Sequence, residues 1–460
     1  MSSLGHQPLS PLDGRYLEAT KALGEYFSEA ALNRARVRVE IEWLIHLCSE
    51  GVAGTTPLPA ATLKALRGVV DAFGEQDIAA IAAYEATTKH DVKAVEYYVR
   101  DVLTTHKLES LRELVHFGCT SEDINNVAYA LVTRDALNQV WLPAFDAVVQ
   151  RITELAHQWR DAPMLAKTHG QPATPTTFGK ELAVFASRLA RVRRRLVSVE
   201  FLAKFSGATG TFSAHVAAEP AVRWPIVSKA FVEGLGLTWN PLTTQIESHD
   251  GLAELFGALS HANRILHNLA TDVWTYISMG YLTQIPEPGA TGSSTMPHKI
   301  NPIRFENAEA NLEISSSLLE GLAATLVTSR LQRDLTDSTT QRNIGVGFGH
   351  SLLALSNLQK GLHEISLNES ALRADLDANW EVLAEAIQTV MRAEIVRGNS
   401  HESDPYAIVK DLTRGNAVDA DTLAHFVQGL DVSDDARQRL MSLTPDGYVG
   451  LASALVDYLD

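Results

Sequence analysis

Residues 252–276 of the chain read LAELFGALSHANRILHNLATDVWTY. Apolar side chains recur in this stretch at spacings of three and four residues, which is the period of one face of an α-helix. Two other stretches repeat the pattern, between Leu182 and Val199 and between Leu312 and Leu326. Such sustained spacing is typical of long helices that pack lengthwise in bundles. The sequence therefore predicts an all-α fold with a central bundle of long helices.

The flanking sequence predicts further helices and little sheet. Residues 32–48 form a helical pattern that is apolar on two sides, so we expect this helix to be mostly buried. Strand signals are weak, and the glycine-rich segment 207–215 predicts a turn or a short hairpin. One subunit would struggle to cover several long helices, so we expect an oligomer that shares its bundle core, with a large monomeric bundle as the alternative. The expected domains are an N-terminal helical domain (1–118), the bundle (119–362) and a C-terminal helical domain (363–460).

Composition narrows the classes of partner. The 460 residues include 39 Lys and Arg against 55 Asp and Glu, a formal net charge of −16. This charge disfavours nucleic acid and anionic membranes as partners. The N-terminal residues lack a secretion-signal pattern, and Cys48 and Cys119 fit no disulfide or metal pattern, so we expect a cytoplasmic protein. The basic run at 188–195 predicts a solvated or inter-subunit helix face.

The polar segment at residues 292–302 reads GSSTMPHKINP. Its glycine and prolines exclude a helix interior or a central strand. It nevertheless concentrates hydroxyls, an imidazole, an ammonium and an amide, which fits either a functional lid or a polar surface connection. The order of these residues resembles the signature GSS-x-M-P-x-K-x-N-P of the fumarase/aspartase superfamily, whose members eliminate fumarate from a substituted succinate.

Three further polar segments have both a structural and a functional interpretation. Residues 168–175, THGQPATP, predict a loop before a helix, in which His169 is a surface histidine or a proton donor. Thr120 and Ser121 precede acids and an apolar run, so they form an N-cap pair or, through the same free N–H groups, a carboxylate site. The His90–Asp91 pair lies on an ordinary helix surface or orients a functional imidazole.

An arginine-rich segment at residues 329–342, SRLQRDLTDSTTQR, stands out in an acidic chain. Guanidinium groups donate two parallel hydrogen bonds to phosphate, so the segment predicts an anion clamp. A helix end held by salt bridges to Asp334 and Asp337 is the alternative. Near the N-terminus, residues 13–16 predict a turn that carries one cation and one phenol.

Together these segments resemble the bacterial-type adenylosuccinate lyases, nearly from end to end. The resemblance implies a homotetramer whose active sites combine residues of several subunits, and it implies no metal or organic cofactor. The implied reactions of purine nucleotide biosynthesis are elimination of fumarate from adenylosuccinate, giving AMP, and from SAICAR, giving AICAR. Ser293 is implied as the base and His169 as the acid. Residues implied to contact or surround the substrate are Arg15, Tyr16, Lys89, His90, Asp91, His116, Thr120, Ser121, Gln245, Lys299, Asn301, Glu306, Arg333, Ser338 and Arg342.

The implied chemistry needs strong stabilisation of negative charge. Removing a proton beside a carboxylate places a second negative charge on that carboxylate, and the site must stabilise it electrostatically. Lys299, Asn301, Thr120 and Ser121 are the assigned donors, and Glu306 is assigned to orient His169. Another fumarate-releasing lyase such as an argininosuccinate lyase, a cycloisomerase of the same fold and an inactive structural member remain alternatives. A serine hydrolase is disfavoured, because no G-x-S-x-G turn is present.

Overall fold

The computed structural model describes residues 8–286, 296, 299–413 and 418–459. These residues divide into two compact units. The first contains the described chain up to Asp146, together with Val192–Arg264 and Ala310–Ser356. The second contains Ala147–Arg191, the described part of Ile265–Glu309 and the described residues from Asn357 onwards. The three domains expected from the sequence stay a prediction.

The described N-terminal part of the first unit contains six α-helices, of which the second and the sixth are mostly buried. The helices up to residue 136 are α1 (Leu17–Phe27), α2 (Glu29–Ser49), α3 (Ala60–Asp71), α4 (Glu75–Thr88), α5 (Asp91–Thr105) and α6 (Ser121–Ala136). Ser28 caps α2 by accepting a hydrogen bond from the Ala31 N–H at 3.1 Å. Trp43 of α2 is fully buried, and its ring centroid lies 4.4 Å from that of Phe205. The predicted, mostly buried helix at 32–48 is therefore confirmed.

Long helices dominate the middle of the chain. The helices of this region, long and short, are α7 (Leu142–Gln158), α8 (Phe178–Val197), α9 (Ser213–Ala218), α10 (Trp224–Gly234), α11 (Asp250–Ser278), α12 (Ile303–Leu326), α13 (Thr336–Gln341) and α14 (Ile344–His363). The 29 residues of α11 correspond to about 43 Å of helix. The predicted apolar face of α11 is buried along its length at Leu255, Leu259, Ala262, Leu266, Leu269 and Val273. These helices confirm the all-α prediction.

The C-terminal helices are shorter. They are α15 (Glu369–Asp377), α16 (Ala384–Arg397), α17 (Pro405–Thr413), α18 (Ala420–Gln428), α19 (Asp434–Met441) and α20 (Ala452–Leu455). Gly398 ends α16 in the left-handed conformation at a φ of 78°, as the glycine after Arg397 indicates. Ile387, Met391 and Leu423 belong to one buried apolar cluster. None of the helices in the described residues is long and apolar enough to cross a membrane.

Strands in the described residues are only two or three residues long. They are β1 (Pro163–Met164), β2 (Lys167–Thr168), β3 (Gln171–Pro172), β4 (Thr176–Thr177), β5 (Leu202–Ala203), β6 (Thr238–Trp239), β7 (Leu282–Gln284) and β8 (Ile365–Leu367). The pairs β1–β4, β2–β3 and β7–β8 are antiparallel, whereas β5–β6 is parallel.

Two local predictions need correction. Residues 207–215 form a turn that leads into α9, so the hairpin alternative there is wrong. A hairpin occurs instead at residues 167–172, which overlap the segment 168–175 where only a loop was predicted: Lys167 pairs with Pro172 and Thr168 pairs with Gln171. His169 and Gly170 form the two-residue turn with φ of 53° and 74°. A tight hairpin of this kind requires positive φ at both positions, which glycine supplies and histidine tolerates.

Candidate active site

The N-termini of α5 and α6 lie beside each other in the first unit. His90 is the N-cap of α5, and its Nδ1 accepts a hydrogen bond from the Lys93 N–H at 3.2 Å. The ring therefore carries its proton on Nε2, which lies 3.4 Å from the hydroxyl of Ser121, the first residue of α6. Two helix N-termini this close together are well suited to bind anions, because the positive ends of both helix dipoles act on the same region. Lys89 ends α4 with a φ of 55°, and its side chain is exposed.

The start of α6 is fixed by a buried ion pair. Thr120 is the N-cap residue, and its N–H donates to Asp123 Oδ2 at 2.8 Å. The other oxygen of Asp123 lies 2.9 Å from Lys204 Nζ, and both side chains are fully buried. Asp123 also accepts backbone hydrogen bonds from Ser206 and Gly207. The predicted N-cap is confirmed for Thr120, while Ser121 lies inside the helix.

A carboxylate shared by two arginines lies at the first residue of α5. Asp91 Oδ2 is 2.8 Å from Nη2 of Arg36 and 3.0 Å from Nη2 of Arg342. Burial favours the neutral acid, but the charges of Arg36 and Arg342 and the Val92 N–H outweigh it and lower the pKa of Asp91. The Arg36 side chain is completely buried, whereas that of Arg342 is 39% exposed. Arg342 is therefore accessible to a ligand, whereas Arg36 binds the Asp91 carboxylate from the protein interior.

The arginine-rich segment divides between the two interpretations. Arg342 Nη1 donates to both the carbonyl and the hydroxyl of Ser338, at 3.0 and 3.2 Å, so these two predicted clamp residues come together. Arg333 is 2.8 Å from the buried carboxylate of Glu122 and 3.9 Å from that of Asp337. Arg330 instead pairs with Asp334 at 3.2 Å on the surface, as the structural alternative predicts.

Three other predicted site residues lie elsewhere in the first unit, two of them in one turn. Arg15 and Tyr16 occupy the turn before α1, where the Tyr16 N–H donates to the Pro11 carbonyl at 2.9 Å. The guanidinium of Arg15 lies 6.0 Å from the centroid of the Tyr16 ring. Gln245 donates its side-chain amide to the Ala208 carbonyl at 2.9 Å. The contacts in the described residues do not bring these three side chains together.

His116 contacts the interior of the first unit. Its Nδ1 lies 2.6 Å from Glu40 Oε1, and its backbone N–H donates to Glu40 Oε2 at 3.0 Å. Burial lowers the pKa of the His116 ring, but the charge and hydrogen bond of Glu40 outweigh it, so the pKa is raised; Glu96 and Asp123 add smaller contributions. A protonated imidazole is therefore favoured at this position.

The second unit contains His169 and part of the signature loop. His169 is exposed at the tip of the β2–β3 hairpin and makes no hydrogen bond to another described residue. Lys299 donates its backbone N–H to the Met296 carbonyl at 3.0 Å, and the Asn301 carbonyl accepts from the Ile303 N–H at 2.8 Å. Lys299 is exposed and Asn301 half-buried. Ser293, the proposed base, lies outside the described residues.

Glu306 has a partner other than the predicted one. Its carboxylate accepts a hydrogen bond from the indole N–H of Trp274 at 3.1 Å. No hydrogen bond joins it to His169 in the described part of the chain, so its role as the residue that orients His169 stays a prediction. The described residues also contain no group of three or more His, Cys, Asp and Glu that could hold a metal ion.

Sequence reasoning missed four buried groups next to the site: Arg36, Glu40, Lys204 and His215. In α2, charged residues alternate from Arg34 to Glu42, so no helical period separates the buried pair Arg36 and Glu40 from its half-buried neighbours. Their spacing of four residues, on a helix predicted to be buried on two sides, is the signal that could have found them. His215 packs against Gly118, where an added Cβ would lie 2.5 Å from its Nε2.

Family comparisons agree with this architecture. Residues 14–313 match the family described as lyase, and residues 329–449 match the family described as adenylosuccinate lyase C-terminal. The fold and these matches define a carbon–nitrogen lyase of the fumarase/aspartase superfamily. Adenylosuccinate lyase of Escherichia coli (strain K12) is 46% identical over 453 residues, which cover 98% of each chain. That of Legionella pneumophila (strain Corby) is 47% identical over 450 residues, or 97% of each. The chain belongs to the adenylosuccinate lyase family.

Solved structures show the same fold at lower identity. A 3-carboxy-cis,cis-muconate lactonizing enzyme from Pseudomonas putida matches with a TM-score of 0.72 and 22% identity, covering 95% of this chain and 96% of that one. A fumarate lyase from Mesorhizobium sp. BNC1 matches with a TM-score of 0.75 and 20% identity, covering 95% and 97%. At these identities the similarity concerns the fold alone.

Proposed function

We propose that this lyase eliminates fumarate from adenylosuccinate to give AMP, and from SAICAR to give AICAR. The observation that carries the proposal is the grouping of Arg342, Ser338, His90 and Ser121 around Asp91 and two helix N-termini. Both substrates combine a phosphate with a succinyl group, so they need a phosphate site and a carboxylate site within one molecule's length. Arg342 with Ser338 supplies the first, and Thr120 with Ser121 supplies the second.

The elimination itself needs a base and an acid. In the proposed reaction, Ser293 removes a proton from the carbon next to a succinyl carboxylate, and the electron pair is held on that carboxylate. The C–N bond then breaks, fumarate forms, and His169 gives a proton to the leaving nitrogen. Lys299, Asn301, Thr120 and Ser121 stabilise the doubly charged intermediate. A serine base must be activated by its surroundings, and the ammonium of Lys299 is the proposed cause.

A homotetramer with shared sites is part of the proposal. Apolar side chains stand exposed on three long helices: Val184 on α8, Trp274 on α11 and Ile314 on α12. Further copies of the chain would cover them and form a common bundle core. They would also supply the partners that the exposed ring of His169 lacks. Analytical ultracentrifugation tests this directly: we expect four chains per particle, and a monomer at assay concentrations would contradict the proposal.

We also propose a cytoplasmic location and the three-domain division of the chain given above. Cys48 and Cys119 are both free thiols, which suits a reducing compartment.

The reaction is tested with the purified protein and adenylosuccinate. Nucleobase absorbance and released fumarate are followed together, with a metal chelator present in a parallel sample. We expect equal amounts of AMP and fumarate, and equal amounts of AICAR and fumarate from SAICAR. A folded tetramer that releases no fumarate from either compound would reject the proposal. Turnover of argininosuccinate in the same sample would move the protein to another branch of the superfamily.

The phosphate site has its own control within this assay. The nucleoside that lacks the phosphate, succinyladenosine, keeps the reacting atoms unchanged. We expect its kcat/KM to be lower by at least about a hundredfold, because charge-assisted hydrogen bonds to phosphate are lost. Equal kcat/KM values for the two compounds would remove the phosphate clamp from the account.

A further inference from the structure

Glu40 holds residue 116 at two points. One oxygen of its buried carboxylate accepts the His116 backbone N–H at 3.0 Å, and the other lies 2.6 Å from the ring Nδ1. The backbone of His116 is in the left-handed region with a φ of 61°. Residues with a side chain adopt this conformation uncommonly, so contacts that hold it in place stabilise the local structure. Glu40 therefore fixes both the backbone and the ring of His116.

Glu40 and His116 are direct ionic partners. The charges of Glu96 on α5 and Asp123 on α6 also raise the pKa of His116, but each of these acids is paired with a cation of its own. Glu96 binds Lys93 at 2.8 Å and Arg100 at 3.0 Å, and Asp123 binds Lys204 at 2.9 Å. Among the described residues, Glu40 has no hydrogen-bond or ion-pair partner other than His116. A fully buried carboxylate is stable as an anion only with a compensating charge.

The ring is thereby oriented as well as charged. Because Nδ1 donates to Glu40, Nε2 lies on the opposite side of the ring and has no hydrogen-bond partner among the described residues. The side chain of His116 is 17% exposed, so part of the ring remains accessible. His116 also connects directly to the start of α6, since its carbonyl accepts from the Cys119 N–H at 3.1 Å, one residue before Thr120.

We propose that Glu40 is a positioning residue, which holds His116 as an imidazolium with Nε2–H available to a carboxylate of the substrate bound at Thr120 and Ser121. This assignment rests on the proposed function and places a cation beside the hydroxyls of Thr120 and Ser121, in addition to the ammonium of Lys299 proposed above. The role of Glu40 is indirect, because His116 is the residue that touches the ligand.

The pH dependence has a defined sign. Glu40 raises the pKa of His116 above its ordinary value, so the binding-competent cation is present below this pKa and is lost as the pH rises through it. In Glu40→Gln the largest raising contribution disappears, and burial then lowers the pKa. The alkaline limb of kcat/KM must therefore move to lower pH in this variant, and activity must recover on acidification.

Three variants test the proposal. Glu40→Gln keeps the size of the side chain and removes its charge, and Glu40→Asp keeps the charge. Glu42→Gln is the matched control, because Glu42 lies on the same helix but contacts Arg67 instead of His116. The distance from Glu42 Oε1 to Arg67 Nε is 2.7 Å. We expect Glu40→Gln to lower kcat/KM at pH 8 by roughly ten- to a hundredfold, the contribution of one hydrogen bond to a charged group. Glu40→Asp should retain the wild-type pH profile, and Glu42→Gln should match wild type.

A second readout does not depend on activity. Carbon-13 NMR of labelled histidine follows the titration of the His116 ring, which is identified by the signal that His116→Gln removes. We expect this signal to titrate at lower pH in Glu40→Gln than in wild type. If wild type shows the raised titration but releases no fumarate, the proposed function fails and the Glu40–His116 pair stands. The proposal is overturned if kcat/KM falls in Glu40→Gln while neither the alkaline limb of its pH profile nor the NMR titration of the His116 ring shifts. Such a variant would have a purely structural defect.

Discussion

The start of α6 and the tip of the β2–β3 hairpin differ sharply, although both carry proposed site residues. Around α6, Thr120, Asp123 and Lys204 are joined by hydrogen bonds and a buried ion pair. At the hairpin tip, His169 is exposed and makes no hydrogen bond to a described residue. The polar groups at the start of α6 have their partners within the first unit. The proposed proton donor at the hairpin tip has no hydrogen-bond partner among the described residues.

This contrast separates two tasks of the site. Groups that bind fixed anionic parts of a substrate benefit from a rigid framework, because no reorganisation is then needed when the ligand arrives. A proton donor must instead meet the leaving nitrogen in a closed site, and its surroundings are completed by other groups. Variants in the two regions should therefore fail in different ways, one in stability or binding and the other in turnover.

Removal of the hairpin histidine should have the largest effect on turnover. We expect His169→Ala to lower kcat by roughly 10²- to 10⁴-fold, the usual contribution of a general acid. Its thermal midpoint should stay at the wild-type value, because the side chain is exposed and unpartnered. Lys167→Ala, on the same hairpin, is the control and should keep its turnover. A loss of kcat below about tenfold in His169→Ala would argue against the acid role.

The choice of base can be tested within one pair of neighbours. We expect Ser293→Ala to lower kcat by several orders of magnitude, on the order of the His169→Ala loss, since proton removal from carbon has no substitute base. Ser294→Ala should retain most of the activity. Steady-state kinetics of the two variants decides between them. Inactivation by Ser294→Ala with an active Ser293→Ala would reverse the assignment.

Breaking the framework at α6 should instead cost stability. Lys204→Met leaves Asp123 buried without its cation, so we expect the free energy of unfolding to fall by about 3–5 kcal/mol. Arg193→Met removes a pair with Asp146 that is partly exposed on both sides, and it should cost at most about 1 kcal/mol. Denaturant unfolding at one protein concentration measures both. Equal losses in the two variants would show that the buried pair has no special role.

Loss of the proposed phosphate ligand should mainly weaken binding. We expect Arg342→Ala to raise KM by roughly ten- to a hundredfold with little change in kcat, because its hydrogen bonds to phosphate are made equally in ground and transition states. Arg330→Ala is the control, since Arg330 pairs with Asp334 on the surface. An unchanged KM in Arg342→Ala would mean that Arg342 serves only to hold Asp91.

The sequence predicted the helices well because their apolar periodicity is long and unambiguous, as at 252–276. Thr120 as an N-cap also followed from local chemistry. The partners of the charged residues did not, since Arg333–Glu122 and Arg342–Asp91 join positions far apart in the chain. Arg36 and Glu40 were missed because α2 alternates charges without a helical period. The His169 hairpin was read as a loop, because nothing local reveals that a histidine will adopt positive φ.

The most direct test of the account is a mixing experiment with Arg342→Ala and His169→Ala. The two proteins are dissociated, mixed in equal amounts and reassociated, and kcat/KM is measured at substrate concentrations well below KM. If the binding framework and the acid of each site come from different subunits, about one quarter of the sites regain both residues by random mixing, and activity rises accordingly. No gain over the separate variants, with tetramers reformed, would contradict the sharing of sites between subunits.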